Sequence, residues 1–152
     1  MRGMILAGAL LAVGLIGTAE AQAPAPLTAD QIIANRQAGQ ALVGASFASM
    51  KHAIDTKSTD LKQYKPMAEA IARWMAAFPD LFPPGTEQGH KTKALSAIWS
   101  DRAGFDKDAR NLVAEAQKLA QAADSNDPAA FAVAFQNTGK ACGACHHDFR
   151  AK

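Results

Sequence analysis

Apolar residues recur along most of this 152-residue chain at alternating steps of three and four, the repeat of one helix face. The spacing predicts a first helix from Thr28 to about Ile54, striped by Ile33, Gln37, Gln40, Val43, Phe47, Met50 and Ile54. Thr28-Ala29-Asp30-Gln31 has the form of a capping box, in which the hydroxyl accepts from the amide three residues on and the Gln reaches back. A second helix is predicted from about Pro66, a good first-turn residue, to Phe78, striped by Met67, Ile71, Trp74 and Phe78. Asp80 to Lys93 reads as a loop, broken by Pro83-Pro84-Gly85. A third helix is predicted from about Ile98 to Ala123, with Ile98, Phe105, Ala109, Leu112, Ala116, Leu119 and Ala123 on one face. Asp127 as N-cap and Pro128 at the first position open a fourth, striped by Phe131, Phe135, Thr138, Cys142, Cys145 and Phe149.

Four amphipathic helices with three connections predict an all-α fold, an antiparallel left-handed four-helix bundle. The near-3.5 spacing of the stripes suits shallow, left-handed crossings. Neither a run of alternating β-branched residues nor an internal repeat of solenoid length occurs.

The first 21 residues fall outside this pattern. Arg2, an apolar run through Ile16 and the small-x-small site Ala19-Glu20-Ala21 have the form of a cleaved secretory signal peptide. The run is shorter than the roughly 20 apolar residues of a spanning helix. Residues 22–27, with prolines at 24 and 26, read as an extended leader, and residues 28–152 as the helical domain. Removing Arg2 and Glu20 together leaves the net charge at +2. That balance exerts no strong pull on nucleic acid.

The two cysteines of the chain, Cys142 and Cys145, stand three apart on the last predicted helix, and His146 follows at once. Positions i, i+3 and i+4 share one side of a helical turn. Cys-x-x-Cys-His is the attachment signature of a c-type haem. Two thioether bonds fix the porphyrin against the helix, and the imidazole then reaches the iron. Three other readings compete. A thioredoxin-like dithiol sits at a helix N-terminus, whereas this pair lies in the last turns. Structural zinc needs four ligands, and only His52, His90, His147 or a carboxylate could supply the fourth. A disulfide between residues so close would constrain little of the unfolded chain. Covalent haem c is the reading favoured here, and an exported, periplasmic chain is consistent with it. His147 turns off the cysteine face and is expected in solvent. No nucleophile–base–orienter set is visible, so the chain is not read as an enzyme.

With these residues in view, the chain resembles the class II c-type cytochromes, the cytochrome c′ and cytochrome c556 family. Cys142-Gly143-Ala144-Cys145-His146-His147-Asp148-Phe149-Arg150 is similar to the family's Cys-x-x-Cys-His-x-x-aromatic-Arg ending. Ile98-Trp99-Ser100-Asp101 with Phe105, the loop Phe82-Pro83-Pro84-Gly85-Thr86, and Arg36-Gln37 resemble further family segments. The similarity runs from about Gln31 to Arg150.

The resemblance implies Cys142 and Cys145 as thioether anchors and His146 as the proximal iron ligand. It implies Arg150 beside the proximal imidazole, against the plain reading of a cation at a helix C-terminus. It implies Arg36 on a haem propionate with Gln37 assisting, against a solvated helix charge. Phe82 would pack near the ring, which is also a description of a core aromatic. The departure is Gln40. Four residues after Arg36, the c556 members carry a methionine that binds iron and the c′ members an apolar residue. An amide in an apolar stripe needs a partner, namely a haem-bound ligand, a water or a carbonyl, unless it sits at a wet edge. Met50 lies about 15 Å further along the helix, too far to replace residue 40 on the same ring. Met67 and Met75 are read as core fillers.

The expected activity is one-electron transfer through haem iron with an unidentified redox partner. The alternative is binding or scavenging of small gases, nitric oxide or carbon monoxide, at five-coordinate iron. No methionine–iron bond is expected at position 40. The resemblance leaves two assemblies open, the homodimer through the first two helices common among c′ members and the monomer found among c556-like ones. Gly39, Ala41, Gly44, Ala45 and Ala48 would permit close helix contact or serve internal packing. No nucleic acid and no membrane span of the mature chain are expected.

Overall fold

The computed structural model describes residues 25–87 and 91–152. The signal-peptide reading of residues 1–21 lies outside the described residues, as do residues 22–24 of the leader. Residues 25–27 are exposed and without regular structure.

Helix α1 spans Ala29–Asp55 and opens with the expected capping box, since Thr28 and Gln31 satisfy one another's backbone amides. Helix α2 is Lys65–Ala77, with a proline in its first turn. It gives way to a tighter turn, Phe78–Leu81, because Pro79 has no N–H to continue the α ladder. The predicted third helix is two pieces, α3 (Ala97–Ser100) and α4 (Arg102–Ser125). Asp101 leaves helical geometry, with φ −120° and ψ 58°, so that its carboxylate can cap the amide of Gly104. The apolar periodicity runs straight through the break and hides it. Asn126, in the left-handed conformation, ends α4. Helix α5, Pro128–Phe149, starts as expected, with Asp127 accepting from the amides of Ala129 and Ala130.

The helices alternate in direction around a shared core, as expected. At one end the Asn126 side chain accepts from the Leu61 amide at 2.7 Å and donates to the Thr59 carbonyl at 3.0 Å, joining the α1–α2 connection to the α4–α5 turn. At the other end, Phe78, Phe82, Phe105 and Phe149 join the end of α2, the start of α4 and the end of α5 through edge-to-face and tilted ring contacts. Every predicted apolar position of α3 and α4 is buried.

The predicted stripes are corrected on the other helices. On α1, Arg36 is buried and Gln37 exposed, because the loop after α2 presents oxygen acceptors to the Arg36 position. On α2 the buried face is Ala68, Ile71, Ala72 and Met75, while Met67 and Trp74 are half-buried. Helix α4 packs closely along both α2 and α5, whereas α1 touches its neighbours more sparsely. A cleft fills the space between α1 and the other helices. The stacked rings of Phe47 and Phe135, with centroids 4.0 Å apart, close it on the side away from the helix ends where the cysteines lie.

Candidate functional site

The last two turns of α5 form one wall of a cleft of about 600 Å³. Cys142, Cys145 and His146 all line it, as the i, i+3, i+4 spacing requires. Both thiols are free, Cys145 buried and Cys142 half-buried. Burial pushes the Cys145 thiol up to about 11, with the charges of Asp108, Cys142 and Asp148 adding to it. Burial raises the Cys142 thiol too. The His146 imidazole is held below its ordinary value, first by burial and then by the charge of Arg150. It is therefore biased toward the neutral form that can ligate a metal. His147 points away, exposed beside Asp148.

Arg150 lines the same cleft but stands just beyond α5, not on it. Its backbone is extended and bridges to Ala94. The Leu95 amide donates to Phe149 and the Ala151 amide to Lys93, which clips the C-terminus to the loop before α3. This clip, and not helical spacing, sets Arg150 beside His146.

The facing wall comes from α1. Arg36 is 3% exposed, and its described hydrogen-bond partners are neutral oxygens: the Leu81 and Thr86 carbonyls and the Thr86 and Thr92 hydroxyls, at 3.1–3.4 Å. Its guanidinium lies over the Phe82 ring. The sequence reading missed Thr86, a fully buried hydroxyl, because a single threonine in a Pro-Gly turn carries no signal of its own. Gln37, exposed, donates to the Lys91 carbonyl at 2.8 Å, so it ties down the same loop. Gln40 is half-buried, and its amide nitrogen faces the sulfur of Met75 at 3.6 Å. Its described partner is thus the Met75 thioether. Met75 fills the core as expected and also forms part of the cleft wall.

All eight residues singled out from the sequence, Cys142, Cys145, His146, Arg36, Gln37, Gln40, Phe82 and Arg150, line this one cleft. Its remaining walls are largely apolar, with Val43, Phe47, Phe105, Leu112 and Phe149 among them. Among the described residues, no group of three or more His, Cys, Asp or Glu is gathered as a metal cage. The lining fits a porphyrin: two thiols and one imidazole on one wall, apolar surface for the ring, and a buried cation for its carboxylates.

Residues 31–150 match the family model described as Cytochrome C′. A cytochrome c′ from Rhodospirillum rubrum is 33% identical over 99% of this chain and 99% of its own length. The chain belongs to the cytochrome c′ family. It is a class II c-type cytochrome, and its cofactor is covalently bound haem c with iron. A cytochrome c-556 from Agrobacterium tumefaciens is 38% identical over 63% of the chain and 76% of its own length. The fold agrees with a solved cytochrome c′ described by ligand-controlled dimer dissociation, with a TM-score of 0.78 and 30% identity over 84% of this chain and 100% of that one. A nitric oxide complex of a variant cytochrome c′ from Alcaligenes xylosoxidans gives a TM-score of 0.73 at 30% identity, over 82% of this chain and 97% of that one. The family's four-helix bundle is therefore the fold of this chain. No helix among the described residues is long and apolar enough to cross a membrane.

Proposed function

We propose that this cytochrome is an exported, periplasmic one-electron carrier with His146 on the iron and thioethers at Cys142 and Cys145. The observation that carries the reading is the convergence of those three side chains, with Arg36 opposite, on one largely apolar cleft. Haem bound there supplies a ferric–ferrous couple. The chain's own residues do the rest. The helical turn of α5 holds both sulfurs and the imidazole on one side, so attachment and ligation need no rearrangement of the backbone. The near-neutral bias of His146 keeps its nitrogen available. Arg36, whose described partners are neutral, offers its charge to a propionate, while Gln37 steadies the loop beside it. Phe82 supports the guanidinium from below. Arg150 sets a positive charge near the proximal side. The role is transport of electrons, not turnover of a substrate.

Gas binding is a second reading, and Gln40 favours it. An amide stands where the family's methionine would bind iron, which leaves the sixth position without a strong protein ligand. The nitric oxide complex of the Alcaligenes relative supports that reading by likeness. A homodimer through α1 and α2 is also proposed. Leu42, 71% exposed on α1, and the small exposed residues around it fit such a contact.

Two measurements test the proposal. Intact mass and a pyridine haemochrome spectrum should show one covalent haem, lost when both Cys142 and Cys145 are changed to Ala. Ferric and ferrous visible spectra, with and without carbon monoxide, should show no methionine–iron charge-transfer band and a clear response to the gas. A low-spin ferrous spectrum that ignores carbon monoxide would refute the open site.

A further inference from the structure

Three polar side chains on the α1 wall of the cleft can donate hydrogen bonds: Arg36, Gln37 and Gln40. The first two are tied to oxygens of the 81–92 loop. Gln40 rests on a sulfur instead, at 3.6 Å. A thioether is a weak acceptor. The amide is thus held at the cleft wall by a partner it can exchange at little cost for an oxygen or a halide. It also has no room to back away along α1. The Trp74 ring lies so close to Gly39 that a Cβ there would fall inside it, which pins the helix at the residue before Gln40. Met75 itself is 3% exposed and fixed in the core.

We propose that the Gln40 amide selects what binds at the open face of the haem, donating a hydrogen bond that favours acceptor-rich, anionic ligands over carbon monoxide. The proposal rests on the haem and open-site reading above. An anion at the iron offers a full charge to the N–H, and charge-assisted bonds are roughly twice as strong as neutral ones. Bound carbon monoxide is a poor acceptor and gains little. Gln40 is then a specificity-determining residue, and the Met75 sulfur a weak competing acceptor that the amide leaves when an anion binds.

Fluoride is the probe for the ferric protein and carbon monoxide for the ferrous one, both with the haem-loaded chain. Gln40→Leu should weaken fluoride binding about tenfold, the loss of one charge-assisted hydrogen bond. Carbon monoxide affinity should stay within about threefold on the same grounds, while the C–O stretching frequency rises as the donor disappears. Met75→Leu should leave fluoride affinity at or above the unmodified level, because the amide is freed and not removed. Three results would overturn the proposal. Fluoride affinity could be unchanged in Gln40→Leu. Fluoride and carbon monoxide could weaken together, which marks residue 40 as a steric wall. Or Met75→Leu could lose fluoride as Gln40→Leu does, which assigns selectivity to the sulfur. If the unmodified protein responds to neither ligand, the open-site reading has failed first, visible before any variant is made.

Discussion

The guanidinium carbon of Arg36 lies 4.2 Å from the centre of the Phe82 ring, on its face. One residue comes from the first helix and the other from the loop after α2. Their contact fixes the rim of the haem cleft, because Arg36 also donates to Leu81, Thr86 and Thr92 on that loop. Arg36→Ala is expected to cost about 1.5–3 kcal/mol in denaturant unfolding, the range for a hydrogen bond to a charged group. Combined with Phe82→Leu, a double-mutant cycle should give a coupling of about 1 kcal/mol, as for a desolvated cation–π pair. Strict additivity would mean that the stacking carries no energy.

Gly39 sits under the Trp74 ring, half-buried between α1 and α2. Alanine favours a helix over glycine by about 1 kcal/mol in solvent. Here the added methyl would collide with the indole, whose buried Nε1 has no partner among the described residues. Gly39→Ala is therefore expected to destabilise by about 1–3 kcal/mol, the overpacking range, despite the better propensity. A raised melting temperature would show that the two helices part easily at this point.

Before haem is attached, the two thiols differ in environment. Cys145 is pushed up to about 11, by burial first and by Asp108 next. Cys142 is raised as well, also by burial. A thiol raised in the fold stabilises it below the ordinary thiol value, and that contribution disappears as pH climbs through about 11. Iodoacetamide at pH 8 should accordingly label Cys142 before Cys145 in the haem-free chain, read by peptide mass. The gap should close as pH rises toward 11. Equal labelling at pH 8 would mean that the α5 end is not packed without its cofactor.

Arg150 is exposed, and after burial its charge is the second cause that holds the His146 imidazole below its ordinary value. With His146 as the proposed iron ligand, a cation beside it favours the ferrous state, which carries one positive charge fewer. Arg150→Gln should lower the midpoint potential by about 10–40 mV at low salt, the scale of an exposed charge interaction of up to about 1 kcal/mol. The shift should shrink in about 1 M salt, where the Debye length is near 3 Å. A shift that ignores salt would point to a loss of the Ala94 bridge and not of charge.

The bundle and the shared face of Cys142, Cys145 and His146 were both legible in the chain. Helical periodicity located four long helices, because burying one face of each needs apolar residues every three or four positions. Thr28, Asp127 and Pro128 marked two helix starts, because capping is local chemistry. Cys142, Cys145 and His146 share a face through spacing alone, so no neighbour was needed to place them together. What stayed hidden depends on contacts between residues far apart. Asp101 breaks the third helix by capping Gly104, and the apolar pattern continues across it. Gln37 and Arg36 exchange places between surface and interior, because the acceptors for Arg36 come from residues 81, 86 and 92. Gln40 found a sulfur 35 positions away.

The sequence by itself determined the long helices and the side of α5 that carries Cys142, Cys145 and His146, since each follows from spacing within one element, and the family, through short motifs spread along the chain. Tertiary structure alone decided how the cleft is lined opposite that side. It buried the Arg36 cation of α1 against a loop, clipped Arg150 to Ala94, and set the Gln40 amide against Met75. These are hydrogen bonds and packing between separate segments. Their partners are fixed only when the chain closes on itself.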